Sequence, residues 1–443
     1  MKYLLSISAL LTAAGMSALD FGGTALKPVE VTVEASTGLD AVYVVADTHG
    51  ATMTYTASSA TSAVKWSRYS RMGAAYAEEV APVRDGAKLT LPCTDDDMGY
   101  VIEENGRSRY YWIINYASHT LDLESVTLSP EQDCDRTHLD FSGKAEELEA
   151  FSPLGRRVVV GRDLEVSYNT LEFDDESFSY PPVTTTVTLD GIATSFSVAA
   201  PLTDTQFTLS GDRFLKAWGR TQSIESPTFA TVAVDARTRA TQAERDADNE
   251  QKVEGDGLGG SAPADITFEA AVTDAAIFTE WQISRTADFA DVVNSFNELE
   301  FTYTFTEQGT TYVRFTVNNA AGTCPLESET YKVFIGESKL DIPNAFSPGA
   351  SPGVNDEWKV SYKSIVTYKC TIFNRWGKKL FESSDPSQGW DGMVGGKAVP
   401  PGVYFYVIKA VGADGVKYDR AGDINIIGYK DNTTNQGNPD IDE

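Results

Sequence analysis

The feature that most limits what this chain can become is a two-residue alternation of β-branched and aromatic residues with polar ones, repeated in short runs along most of its length. Val29, Val31 and Val33 alternate with Glu30, Thr32 and Glu34. Successive side chains of an extended strand point to opposite faces, so this pattern predicts a strand with one buried and one wet face. Ala41–Ala46, Thr52–Thr56, Val64–Tyr69, Lys88–Leu91 and Tyr110–Tyr116 continue it, separated by turn-forming residues. Strand runs at this spacing predict packed antiparallel sheets. The fold class expected is all-β, a tandem of β-sandwiches.

At 443 residues the chain has room for several such domains. Residues 24–142 read as a first, immunoglobulin-like sandwich with Trp66 in its core. Residues 150–237 repeat the habit through Val183–Leu189, Thr194–Val198, Gln206–Leu209 and Thr228–Val234. Residues 238–262 are rich in acids and end on glycines, which predicts a linker. Gly255, Gly257 and Gly260 there match the glycine spacing of a dinucleotide loop. Such a loop needs a strand before it and a helix after it to meet the pyrophosphate, and acids beside that anion are repulsive. No nucleotide is expected. Residues 263–337 supply five more strands. Their stretch from Gly309 to Gly322 resembles the late strands of a PKD domain, which implies Val313, Phe315 and Val317 in the core.

Charge divides the chain. Lys and Arg number 36 against 64 Asp and Glu, a net charge of -28. Residues 339–430 hold 12 basic and 9 acidic residues, so nearly all the excess acid lies upstream. A surface this acidic repels phosphate backbones, and nucleic acid is not an expected partner. The N-terminus reads as an export signal over residues 1–18: Lys2 is followed by an apolar run, Leu4 to Ala14, and small residues to Ala18. Export permits disulfides, and Cys93 with Cys134 is the pair expected; the pairing of Cys324 and Cys370 stays open.

The last 105 residues carry the most specific signal. They read Pro343-Asn344-Ala345-Phe346-Ser347-Pro348, then Gly353-Val354-Asn355-Asp356-Glu357-Trp358, Asn374-Arg375-Trp376-Gly377, Trp390-Asp391-Gly392 and Gly402-Val403-Tyr404. These five motifs, in this order, resemble the gliding-motility-associated C-terminal domain, the type B sorting domain of the type IX secretion system of Bacteroidota. The resemblance covers residues 340 to about 428, within a domain expected over 338–430. It implies a small β-sandwich that takes the protein across the outer membrane, with the outer-membrane translocon and its sorting machinery as partners. Gly349 to Gly353 stands where the family has an asparagine-glycine-aspartate loop, and an acidic tail, 431–443, runs beyond the last strand.

No motif for chemistry accompanies it. Zinc-protease, serine-hydrolase and P-loop signatures are absent, and three histidines are too few for a multi-histidine metal site. Asp135, His138 and Asp140 and the acidic runs Asp95–Asp97 and Asp174–Glu176 read as polar, solvated loops, and Ser383-Ser384-Asp385 before Trp390 resembles a sialidase Asp-box that Ser387 and Gln388 break. The expectation is a non-enzymatic protein of the cell surface or medium, without catalytic residues, cofactor or metal. Two alternatives stand beside it: a regulator that signals the state of the secretion system to the envelope, and an adhesin for surface polysaccharide or a host ligand. Stacking of a sugar would need exposed tryptophans, and Trp112, Trp218 and Trp281 are the candidates.

Overall fold

A strand whose every residue is apolar must be covered on both faces, and one such strand, Ala41–Val45, organises the N-terminal part of the computed structural model. The model describes residues 19–94, 96–253, 257–349 and 353–427. The signal sequence expected at 1–18 and the tail at 431–443 lie outside these. Two units divide the chain, Met1–Glu172 with Pro181–Ala233 and Phe173–Tyr180 with Val234–Glu443. Both are built of β-sheet packed on β-sheet, as the alternation predicts.

In the first unit a six-stranded sheet runs Val29–Val31, Ala41–Val45, Arg107–Asn115, Met98–Glu104, Val64–Tyr69, Glu78–Val80. Ala41–Val45 is buried at all five positions. One face, with Tyr43, Val45, Trp66, Tyr100, Ile102 and Ile113, closes on Met53, Tyr55, Leu89 and Leu91 of a four-stranded sheet. The other face, with Val42, Val44, Trp112 and Ile114, joins a second core containing Leu139, Phe141, Val166, Phe207 and Leu209. One sheet thus serves two cores.

That arrangement moves the boundary expected at residue 142. Asp122–Leu128 and Arg136–Lys144 pair with each other and with Ser195–Ala199, not with the first sandwich. Opposite them stands the sheet Pro182–Leu189, Leu164–Leu171, Thr208–Gly211, Gln222–Glu225. The second sandwich therefore begins near Leu121, because Leu123, Val126, Leu139 and Phe141 find their apolar partners downstream. The Cys93–Cys134 bridge falls with the boundary. Cys93 is a free thiol at the end of Lys88–Pro92, packed on the first core, with burial pushing its pKa up to about 11. Cys134 lies in the turn between two strands of the second sandwich.

Glu104 ties the rim of the first sandwich. Its carboxylate accepts bonds from the Ser58 N–H at 2.8 Å, the Ser58 hydroxyl at 2.6 Å and the Tyr55 hydroxyl at 2.7 Å. These donors, the Ser58 hydroxyl foremost, hold its pKa down at about 2. A carboxyl whose folded pKa is depressed stabilises the fold above its unfolded value and loses that contribution as pH falls towards the folded value. The urea midpoint of the protein should therefore drop between about pH 4.5 and pH 2, and Glu104→Gln should flatten part of that drop. An unchanged slope in the variant would show that the ties are not felt in solution.

In the second unit, Ala236–Gln242, Ala264–Val272 and Glu300–Phe305 form one sheet. Leu258–Gly260, Tyr331–Ile335, Gly309–Asn318, Phe278–Ser284 and Val292–Phe296 form the sheet facing it. Val313, Phe315 and Val317 point inward onto Trp281 and Phe268, as their alternation predicts. The linker expected over 238–262 is instead built into this sandwich at both of its ends. Ala236–Gln242 pairs along its whole length with Ala264–Val272, and Leu258–Gly260 runs parallel to Tyr331–Ile335. The glycines there allow close strand approach: at Gly259 a Cβ would sit 2.3 Å from the Phe334 carbonyl oxygen. Sequence polarity suggested a coil because only alternate residues of an edge strand such as Ala236–Gln242 are covered.

The C-terminal module is a five-stranded sheet ordered Ala345–Phe346, Lys417–Ile426, Gly402–Gly412, Ile365–Phe373, Lys379–Ser383. Gly402–Gly412 is central, as its run of apolar residues predicts. Only one of its faces is buried, however. Val403, Phe405 and Val407 remain 50%, 44% and 37% exposed on the other. Among the described residues no helix is long and apolar enough to cross a membrane.

Candidate functional site

The motif residues of the C-terminal module fall into three physical groups. The first is an aromatic core. Phe346, Trp358 and Trp390 are each no more than 2% exposed. Trp390 packs its ring 5.8 Å from Phe346 and 5.4 Å from Tyr404. Trp358 and Trp390 exchange both backbone hydrogen bonds, at 2.9 and 3.0 Å, so the two motifs that contain them are laced together. Each indole N–H is satisfied, Trp358 by the Pro343 carbonyl at 2.7 Å and Trp390 by the Met393 carbonyl at 3.2 Å. The Tyr404 hydroxyl donates to the Pro400 carbonyl at 2.7 Å.

The second group shapes turns. Asp356 receives the Gly349 N–H on one carboxylate oxygen, at 2.8 Å, and the Gly353 N–H on the other, at 2.6 Å. Asn355, in the left-handed region at φ 57°, gives its carbonyl to Ser347 N–H at 3.0 Å. Residues 350–352 of that loop lie outside the described ones. The Asn344 carbonyl accepts from Asn425 N–H at 2.9 Å, which carries the segment through Asn344 into parallel pairing with the last strand. Pro348 is buried. Asn374 accepts the N–H groups of Trp376 and Lys378, each at 3.0 Å, and Gly377 sits at φ 78°. Asp391 accepts from Met393 N–H at 2.8 Å, beside Gly392 at φ 75°. Gly402, at φ 150°, opens the central strand. Side-chain acceptors of this kind replace backbone partners at turns.

The third group is exposed. Trp376 is 78% accessible, with the Arg375 guanidinium 5.0 Å above its ring. It stands at the end of the sheet face that carries Phe405 and Phe373, which lie opposite each other. A groove of about 680 Å³ is lined by Pro343, Asn355, Asp356, Lys359 and Asp248. Asp248 lies far upstream in sequence, and nothing in the local pattern signals its place here.

Burial drives the Cys370 thiol up to about 11 and raises Tyr404 and Tyr406. Elsewhere, His119 pairs with Asp97 at 2.7 Å and His138 with Asp133 at 2.9 Å. The Asp97 carboxylate raises the His119 pKa. Among the described residues no group of three His, Cys, Asp or Glu could hold a metal ion. Trp112 and Trp281 are 2% and 0% exposed, inside the cores. Trp218 packs edge-on against Tyr116, 5.0 Å away, and gives its N–H to the Lys27 carbonyl at 2.9 Å. Trp112 and Trp281 are therefore closed to a sugar, while Trp218 is half-buried with its ring edge and N–H engaged. Trp376 is the exposed indole, and it belongs to the C-terminal module.

Comparison with protein families finds a CHU_C type IX secretion signal domain over residues 340–426. A fibronectin type III domain matches residues 126–226, which lies within the second sandwich as the strand pairing defines it. No curated protein matches the chain. Among solved structures, a tetra-tandem repeat from the extending region of a large adhesion protein is 13% identical, with a TM-score of 0.20, covering 85% of this chain and 95% of that one. Dimeric latent PorU from Porphyromonas gingivalis is 10% identical, with a TM-score of 0.16, covering 72% of this chain and 35% of that one. A biofilm-associated protein BSP domain is 8% identical, with a TM-score of 0.15, covering 93% of this chain and 96% of that one. These scores are too low to carry function from those structures to this chain. The chain carries a type IX secretion signal domain at its C-terminal end, behind an immunoglobulin-like domain.

Proposed function

We propose that this is a non-enzymatic protein that enters the periplasm through the signal sequence at 1–18. The type IX machinery of a Bacteroidota cell then delivers it to the cell surface or the medium. The observation that carries the reading is the secretion signal domain at 340–426. On this reading the three upstream sandwiches, the last of them PKD-like, are passenger. They bind or space, and do no chemistry.

The exposed third group of motif residues supplies the recognition surface. Trp376, Arg375 and the outward row Val403, Phe405 and Val407 are what a partner can touch, whereas Trp390 is spent in the core and the Asp356 carboxylate on its own turn. The experiment is delivery of the full chain in cells with and without the outer-membrane translocon, read by labelling of intact cells. Loss of surface labelling with retention in the periplasm is expected without the translocon, and Trp376→Ala should lower delivery several-fold while the module stays folded. Equal labelling in both strains overturns the proposal.

A further inference from the structure

Residues 245–253 leave the third sandwich between its strands Ala236–Gln242 and Leu258–Gly260 and cross onto the C-terminal module. There they act as an added strand. Gln251 N–H donates to the Tyr362 carbonyl at 2.7 Å, and Tyr362 N–H donates to the Asn249 carbonyl at 3.1 Å, a parallel bridge centred on Glu250 and Tyr362. Side chains lock it. The Asn249 amide donates to the carbonyls of Val360 and Pro386 at 2.7 and 2.8 Å. The Gln251 amide donates to the Asp341 carboxylate at 2.8 Å and the Ser361 hydroxyl at 2.9 Å. Lys359 pairs with Asp248 at 3.1 Å.

The strand so covered, Ser361–Lys363, is otherwise an edge, paired on its other side with Lys339–Asp341. An open edge offers unpaired N–H and C=O groups to any passing strand. Tyr362 at its centre is 4% exposed and belongs to the module's core. Both ends of the crossing segment are anchored by strands of the third sandwich, so the segment is held at this edge only while that sandwich is folded. If the sandwich opens, the segment becomes a free chain, and the entropy of ordering it opposes the bridge.

We propose that this strap makes the sorting module complete only when the domain ahead of it has folded, so that the chain carries its own folding checkpoint for export. The signal that the machinery meets then begins at the third sandwich, not at residue 339. The export half of this inference rests on the type IX reading; the coupling half rests on hydrogen bonds alone.

Hydrogen exchange on the full chain tests the coupling, and surface delivery tests its use. In the parent protein the Tyr362 amide should be protected. Trp281→Ala, which hollows the core of the third sandwich, should speed exchange at Tyr362 at least tenfold. Asn249→Ala with Gln251→Pro should do the same while exchange within Gly309–Asn318 stays unchanged, and both variants should lower delivery in proportion. Asn249→Ala with Gln251→Ala keeps the backbone donor and should give a smaller change of the same sign. Unchanged protection of Tyr362 in the strap variants and in Trp281→Ala overturns the coupling. Lost protection with normal delivery overturns the checkpoint. Delivery that ignores the translocon in the parent chain counts instead against the secretory reading, and leaves the exchange result to decide the coupling.

Discussion

Trp390→Ala should unfold the C-terminal module at temperatures where the rest of the chain is intact. Trp390 is 1% exposed, packed between a tilted Phe346 ring and an edge-on Tyr404 ring, and bonded through its backbone to Trp358. Removing a buried indole costs about 3–5 kcal/mol, because the cavity left behind adds to the lost transfer energy. A domain has only about 5–15 kcal/mol to lose. For a domain this small the midpoint should fall by about 10 °C or more. Calorimetry of the full chain would show one transition displaced downward and the other in place. A shift of a degree or less would mean that the ring is not the keystone its packing implies. Trp376→Ala, by contrast, removes an exposed ring and should move no transition appreciably.

The second large effect is expected in the first unit, at Asp212. Its carboxylate is fully buried and accepts from Arg162 at 2.7 Å and the Tyr116 hydroxyl at 3.0 Å. Its other oxygen caps the helix Arg213–Ala217 through Leu215 N–H at 2.9 Å. Arg162, 3% exposed, also donates to the carbonyls of His119 and Glu146, both at 2.5 Å. The pair thus joins four segments of the second sandwich and the crossover into it. Asp212→Ala leaves the guanidinium charge buried without its counter-ion, and breaking such a pair costs about 3–5 kcal/mol. Most of that loss is the stranded charge. Arg162→Met added to Asp212→Ala should therefore recover part of the stability, which urea unfolding of the first unit would read as a rise in midpoint. A double variant less stable than the single one would show that the pair is worth more than its desolvation.

Much of the C-terminal module was legible in sequence because its motifs are local devices. A left-handed Asn355, an Asp356 that accepts two nearby glycine N–H groups, and an Asn374 that closes its own turn each act within about ten residues, so their spacing survives in the linear text. The same holds for the strands: alternation reports burial on one face wherever the partner sheet lies. Which motif residues are buried was not legible. Trp376 and Trp390 look alike in sequence, yet one is 78% exposed and the other 1%.

Sequence alone determined that the chain is all-β, that its C-terminal end is a secretion signal domain, and that Val313, Phe315 and Val317 line a core. Tertiary structure decided everything that depends on partners distant along the chain. Leu123 and Phe141 looked like the end of the first sandwich until their apolar neighbours proved to be Val166 and Leu209. The acidic stretch after Thr238 looks like a linker because its composition is polar, although Glu250 pairs with Arg245 and Asp248 with Lys359. Its order comes from backbone N–H and C=O groups, which every residue but proline carries and which composition therefore cannot report. The strap on Tyr362 is held by such backbone groups together with the Asn249 and Gln251 side-chain amides. Side-chain pattern encodes which face is buried; backbone pairing encodes which strand lies alongside, and only the folded chain brings those strands together.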